Sequence, residues 1–292
     1  MFLNTNLSYA LQISMKITYV CTNYNNSRFT VAAVESLMRS ENHDLRVYVV
    51  DNASHPAELE QLMNLQREHS IVRIIENKEN VGYFAGLNLG ISAARKDDPM
   101  ATWMVVGNND LEFPSDFCNR VERQQAQYCQ HSVISPDVVT LDGEHQNPHV
   151  ISDISVIREI LYDLYYSNYW LGKFIYKAAK ILPRATRRGD EDHWQIAQPI
   201  YQGHGSCYLL TPKFFSQFDE LWAPTFMMSE EVFLSLQLRR ANEQVFYSPE
   251  IRVTHHWHGS LQDVPNRHRW NMARNAHREY RKHVKVFKGF SL

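Results

Sequence analysis

Apolar positions in the first half of the chain come in short β-branched runs separated by stretches with helical spacing. Lys16–Cys21 (KITYVC) predicts a strand, followed by the polar turn TNYNNS and a helix to Met38. Leu45–Val50 (LRVYVV), Ile71–Glu76 and Thr102–Val106 (TWMVV) predict three more strands. A helix to about Glu68 follows the second, and a glycine-bearing stretch to Arg95 follows the third. Apolar strands alternating with helices mean βαβ units and an α/β fold with a mostly parallel central sheet flanked by helices. After a further strand at 132–139 the pattern changes. Residues 153–182 have a helical period and are rich in Tyr, Trp and Lys, and 183–195 (PRATRRGDEDHWQ) reads as a flexible loop. Strands follow at 205–210, 245–248 and near 251–254, with a helix over 230–241 and a basic helix from Arg267 onward. Internal repeats and low-complexity tracts are absent.

The 292 residues, 44% hydrophobic and 21% charged, suffice for one large core with a modest appendage. Cys21, Cys118, Cys129 and Cys207 form no CxxC pair, which argues against a zinc ribbon or disulfide framework and fits a reducing cytosol. The segment MFLNTNLSYALQISMK lacks the basic and apolar regions of a signal peptide. No run reaches the ~18 apolar residues of a membrane span, so a soluble, cytoplasmic chain is expected. A net charge of −2 points to no nucleic-acid partner, but residues 266–292 carry eight Lys or Arg against Glu279 alone, a basic run that suits either a nucleic-acid or membrane surface or a solvated helix face. That tail and the aromatic-basic stretch Tyr162–Lys180 fit two roles. They are either a surface resting on the inner face of the membrane, near a lipid-linked acceptor, or helices packed on the core or in a homodimer contact.

In an open parallel sheet, ligands bind beyond the carboxyl ends of the strands. There this sequence places Thr22, Asn23 and Tyr24, then Asp51, Asn52 and Ser54, then Asn108, Asn109 and Asp110. Together they suit a polar, phosphate-bearing ligand, although Asn, Asp and Ser also start turns and cap helices. Gly82, Gly86 and Gly90 lie four apart, on one helical face, for close packing or ligand approach; the spacing is not that of a dinucleotide fingerprint. Asp110 is either a ligand for a hard divalent cation or a helix cap. Glu230 and Glu231 open an apolar-periodic helix, where carboxylates either complement the dipole or serve as a general base. His255, His256 and His258 follow the last strand closely enough to suggest a metal ligand, in a spacing that matches no zinc motif.

Taken in order, ITYVCTNYNN, VYVVDNAS, NVGYFAGLNLGI, VVGNNDLEF, GHGSCYLLTPKFF and SEEVFLSLQLRRANEQVFYSPEIRVTHH resemble the inverting family 2 glycosyltransferases with a GT-A fold, especially a rhamnosyl- and galactofuranosyl-transferase-like branch. The resemblance implies a GT-A domain over 15–262, a variable helical insertion at 140–200 on the acceptor side, and a basic helical tail at 263–292. It implies transfer from a UDP- or dTDP-sugar to a glycan or lipid-linked saccharide in bacterial surface-polysaccharide synthesis, assisted by Mn²⁺ or Mg²⁺. By position, Thr22, Asn23, Tyr24, Asp51, Asn52, Asn80, Gly82, Asn108 and Asn109 match nucleotide contacts. Asp110 and His255 match metal ligands, and Glu231, with Glu230 beside it, matches the catalytic base. The chain departs from the family pattern in three places: Asn108 replaces the first acid of the DxD motif, Glu231 replaces an Asp, and Phe233 stands where a further acid is usual. Two other classes share parts of this pattern. A sugar nucleotidyltransferase would carry a glycine-rich basic loop after the first strand, which TNYNNSRF is not. An inactive carbohydrate-binding or scaffold relative would have less reason to keep Asp51, Asp110, Glu231 and His255 together.

Overall fold

The computed structural model describes residues 15–40, 44–181, 189–256 and 266–286. β1 (Lys16–Asn23), β2 (Asp44–Asn52), β3 (Val72–Asn77) and β4 (Met104–Gly107) pair in parallel in the spatial order β3-β2-β1-β4. α1 (Ser27–Met38), α2 (Pro56–Glu68) and α3 (Tyr83–Asp97) make the crossovers. Successive strand residues point to opposite faces, so β1 feeds two layers. Ile17, Tyr19 and Cys21 pack with Val34 and Leu37 of α1 and with Leu62 and Leu65 of α2. Val20 packs with Phe84, Leu87 and Ile91 of α3. α3 lies close to the sheet because its facing positions are glycine. A Cβ on Gly90 would stand 2.3 Å from Val20 Cγ1, and one on Gly86 would stand 2.7 Å from Thr22 Cγ2.

The second half mixes directions. β5 (Leu111–Glu112) is a short edge strand, and β6 (Val133–Thr140) lies deep in the sheet. β7 (Gln198–Ile200) pairs at the rim, β8 (Cys207–Leu210) runs antiparallel between β4 and β6, and β9 (Val245–His255) runs parallel to β6. Thus β6 and β9 run with β1–β4, and β5, β7 and β8 run against them. Among the described residues the sheet has nine strands in the order β3-β2-β1-β4-β8-β6-β9-β5, with β7 against β9. The remaining helices are α4 (Phe117–Arg123), α5 (Gln125–Tyr128), α6 (Val156–Ser167), α7 (Tyr169–Ile181), α8 (Pro212–Phe215), α9 (Glu230–Arg240) and α10 (Asn266–His283). Among the described residues no helix is long and apolar enough to cross a membrane.

Several local expectations change. The two strands predicted at 245–248 and 251–254 are one. Pairing with β6 steps from Pro136↔Ser248 to Asp137↔Arg252, so the Ser-Pro-Glu signal marks a bulge, a position that Pro249 tolerates because it has no N–H to offer the ladder. The helical stretch 153–182 breaks at Asn168, whose Oδ1 caps α7 by accepting from Trp170 N at 2.8 Å. Of the predicted flexible loop, 183–188 lie outside the described residues. The rest is packed: Asp190–His193 form a 3₁₀ turn, Asp190 Oδ2 accepts from Ile151 N at 3.2 Å, and Trp194 stacks on His145 at 4.1 Å. The basic C-terminal helix docks on the body of the protein. Tyr280 and Val284 cluster with Phe233 of α9, while Arg281 bridges Glu159 (2.8 Å) and Asp163 (2.6 Å) of α6.

Replacing Gly90 with alanine sets a gain of about 1 kcal/mol in helix propensity against the overpacking of a buried contact, about 1–3 kcal/mol. Val20 is held in the sheet and cannot give way, so overpacking prevails. G90A should unfold at a lower urea concentration than the parent; an equal or higher midpoint would mean that α3 stands further off the sheet.

Candidate active site

The parallel register decides what meets at the carboxyl edge of the sheet. Asn23 aligns with Asp51 across β1 and β2, and Cys21 aligns with Gly107 across β1 and β4. Asn108, Asn109 and Asp110 therefore emerge beside the ends of β1 and β2. The buried Tyr19 hydroxyl donates to the Asn108 carbonyl at 2.5 Å, and Asn108 N donates to the Ser206 carbonyl at 2.8 Å. The Asn109 amide reaches Asn26 Oδ1 and Thr30 Oγ1, both at 2.7 Å, and Asn23 Oδ1 at 3.2 Å. Asn23 Nδ2 in turn donates to Asp51 Oδ1 at 2.9 Å, and Ser54 N donates to Asp51 Oδ2 at 3.0 Å. Buried polar groups of this kind are tolerated because they satisfy one another.

Against this network lies a cavity of about 370 Å³. Thr22, Tyr24, Asn52, Asn80 and Gly82 line it, together with Asn108, Asn109 and Asp110, and so do Glu230 and Glu231. Ten of the residues singled out from sequence thus share one cavity. Asn23 and Asp51 are not among the lining residues; they are buried in the hydrogen-bond network, and Asp51 is 1% exposed. Gly82 has a left-handed φ of 91°, and a Cβ there would fall 1.9 Å from the Phe226 carbonyl oxygen. Only glycine fits both constraints. That carbonyl accepts from Tyr83 N at 3.0 Å, while Asn52 Nδ2 donates to the Gly82 carbonyl and Asn80 Oδ1 accepts from Gly82 N, each at 3.0 Å. The loop before α9 is thereby locked onto the start of α3.

His255, at the end of β9, stands behind the lining residues. Its Nδ1 donates to Gln146 Oε1 at 2.7 Å, which fixes the ring and directs Nε2 toward Asn108 Nδ2 (3.2 Å) and Asp110 Oδ1 (3.3 Å). A histidine held through its far nitrogen is how proteins orient metal ligands. Neighbouring ligands on a six-coordinate Mg²⁺-sized ion stand about 3 Å apart, so Asp110 Oδ1 and His255 Nε2 fit one divalent cation. Among the described residues no group of three or more His, Cys, Asp or Glu is placed to hold an ion unaided. A pair of protein ligands suits an ion whose remaining positions go to phosphate and water. His256 meets Glu112 at 3.0 Å instead, and His258 lies outside the described residues.

Glu230 and Glu231 begin α9 after two consecutive non-glycine residues with positive φ, Met228 (79°) and Ser229 (65°). Such strain persists where the surroundings over-determine it, often at functional sites. Glu230 is buried, and its Oε1 accepts from Met228 N at 2.8 Å. Burial, with Glu231 beside it, pushes its carboxyl up to about 8. Glu230 is therefore mostly protonated near pH 7, while Glu231 beside it is only half-buried and lines the cavity.

The sequence reading missed His149, His204, Tyr83 and Ser206 in the same cavity. His204 is partly buried, and desolvation, followed by the neighbouring His149, holds its imidazole well below the ordinary range. Its ring stands 5.7 Å from His149 and 5.7 Å from His255. The only signal for His204 was its place in the segment GHGSCYLL, just ahead of β8; His149 comes from a distant loop with no local pattern.

The fold is that of the GT-A glycosyltransferases. It superposes on the mannosyltransferase PcManGT from Pyrobaculum calidifontis, in complex with GDP-Man and Mn²⁺, with a TM-score of 0.54 at 12% identity, covering 94% of this chain and 66% of that one. GalNAc-T7 with UDP, GalNAc and Mn²⁺ gives 0.55 at 11% identity, covering 84% and 44%. The sequence profile of glycosyl transferase family 2 matches residues 18–180, more than half of the chain, and the chain belongs to that family. The succinoglycan biosynthesis protein ExoO of Rhizobium meliloti (strain 1021) is 32% identical over 128 residues, a match spanning 44% of this chain and 35% of ExoO.

An acid raised in the folded state costs stability as pH climbs from its ordinary value, 4.5, toward about 8, because the unfolded chain ionises first. Gln at position 230 can still accept from Met228 N. E230Q should melt above the parent near pH 8 and alongside it near pH 4. Equal melting at both values would mean that Glu230 is ionised in place.

Proposed function

We propose that this chain is an inverting glycosyltransferase that moves a sugar from a UDP- or dTDP-sugar to a saccharide acceptor, free or lipid-linked, in surface-polysaccharide synthesis. The observation that carries the reading is the convergence of Asp110 and Glu231 on one cavity, with the amides of Asn52, Asn80, Asn108 and Asn109 around them. Membership of family 2 and the similarity to a succinoglycan biosynthesis protein support the reaction class and the kind of product.

In this reading Thr22, Tyr24, Asn52, Asn80 and Gly82 receive the nucleotide, the exposed ring of Tyr24 offering a face to the base. Asp51 and Asn23 shape that end of the site; the choice of uridine or thymidine rests on the family match of Asp51. Asp110 and His255 would hold Mn²⁺ or Mg²⁺, which supplies charge neutralisation for the departing diphosphate. Glu231 accepts the proton of the acceptor hydroxyl as that oxygen attacks the anomeric carbon, and the bond to diphosphate breaks on the opposite face with inversion. Glu230, neutral beside it, adds no competing negative charge. Residues 140–200 supply the acceptor side.

General-base catalysis contributes about 10²–10⁴-fold. E231Q, incubated with donor and acceptor saccharide, should lose at least about a hundredfold in transfer rate while keeping the melting temperature of the parent and its affinity for donor. Turnover within a few-fold of the parent would remove Glu231 from the role.

A further inference from the structure

The hairpin of α6 and α7 is amphipathic in the wrong sense for a globular protein. On α6 the buried side is polar: Glu159 is 4% exposed and, with Asp163, meets Arg281 and His277 of α10. The outward side, at helical spacing, is Ile157, Ile160, Leu161 and Leu164, with Ile157 at 74% exposure. α7 repeats the arrangement. Gly172 is buried against the Tyr165 carbonyl and the Trp270 indole, while Trp170 (68%), Phe174 (70%) and Ile181 (79%) point outward. Facing acids inward and large apolar side chains outward is costly unless something apolar covers that face.

Charge indicates what covers it. Residues 156–181 and 266–283 carry ten Lys and Arg against three acids. Lys173 and Lys177 flank the apolar side of α7, with the Lys173 ammonium 5.6 Å from the Trp170 ring. The outward side of α10 presents Arg267, Arg278 and Lys282. A second copy seated on this face would bring the same positive helices against themselves, since a two-fold contact pairs a surface with itself. An anionic bilayer compensates the charge and takes up the apolar side chains together. We propose that the outward face of the α6–α7 hairpin, framed by the cations of α7 and α10, seats the protein on an anionic lipid surface. Arg239, in the last turn of α9, pairs with Asp153 at 2.7 Å just ahead of α6 and ties the hairpin to the body of the protein. The inference stands on the hairpin alone and does not require the transferase reading.

The test is flotation of the full chain with phosphatidylcholine vesicles, with and without roughly one-third phosphatidylglycerol, together with sedimentation equilibrium without lipid. The chain should float with anionic vesicles, about tenfold less with neutral ones, and less as salt is raised. Ile157→Glu combined with Phe174→Glu should lose about tenfold or more of the anionic binding with an unchanged circular dichroism spectrum and melting temperature. Absence of the parent from the floated fraction, or undiminished flotation of the double variant, would overturn the proposal. So would a dimer that the double substitution splits while no vesicle binding is seen, which would assign the face to a second copy.

Discussion

The Asn109 amide ties the end of β4 to the end of β1 and the start of α1, and Asn23 passes that tie on to Asp51 at the end of β2. Three strand ends and a helix are thereby fixed by side-chain hydrogen bonds in addition to the sheet ladder. The lining residues at the ends of β1, β2 and β4 hang on this network: Thr22 and Tyr24 flank Asn23, Asn52 follows Asp51, and Asn108 and Asp110 flank Asn109. In a low-dielectric interior such bonds are strong when complete and expensive when one partner is missing. The floor of the site is therefore rigid, which suits the proposed role of holding diphosphate charge at a set distance from a base.

The other half of the cavity is built by strain rather than by a network. The loop before α9 passes through left-handed Met228 and Ser229 and is fastened to α3 where Gly82 leaves room for the Phe226 carbonyl. That contact brings Glu230 and Glu231 to the amide-rich floor. Their surroundings differ: Glu230 is buried and its carboxyl is pushed up to about 8, by burial first and then by Glu231, which is only half-buried.

The sequence made the parallel half legible because uninterrupted apolar runs and polar strand ends each carry a local signal, and the site residues on β1, β2 and β4 followed from strand ends alone. β5 and β7, two and three residues long, exist only through pairing with β9 and leave no periodicity to read. The bulge at Pro249 looked like a turn because proline marks both. His149 and His204 join the cavity from loops whose course depends on the tertiary fold. The hairpin of α6 and α7 shows a different limit. Its helical period was plain, but a period cannot say which side faces inward, and here the usual assignment is reversed by the ion pairs to α10.

The cavity beside Asp110 is proposed to be a cation-dependent donor-nucleotide site. That role is tested most directly by melting the protein with UDP, dTDP, GDP or CDP, each with and without Mn²⁺. A ligand at about a hundredfold excess over its dissociation constant stabilises the folded state by about 2.7 kcal/mol, enough for a shift of a few degrees. The expected result is a rise with UDP or dTDP that requires Mn²⁺. No rise with any of the four nucleotides, with or without the ion, would contradict a donor site at this cavity.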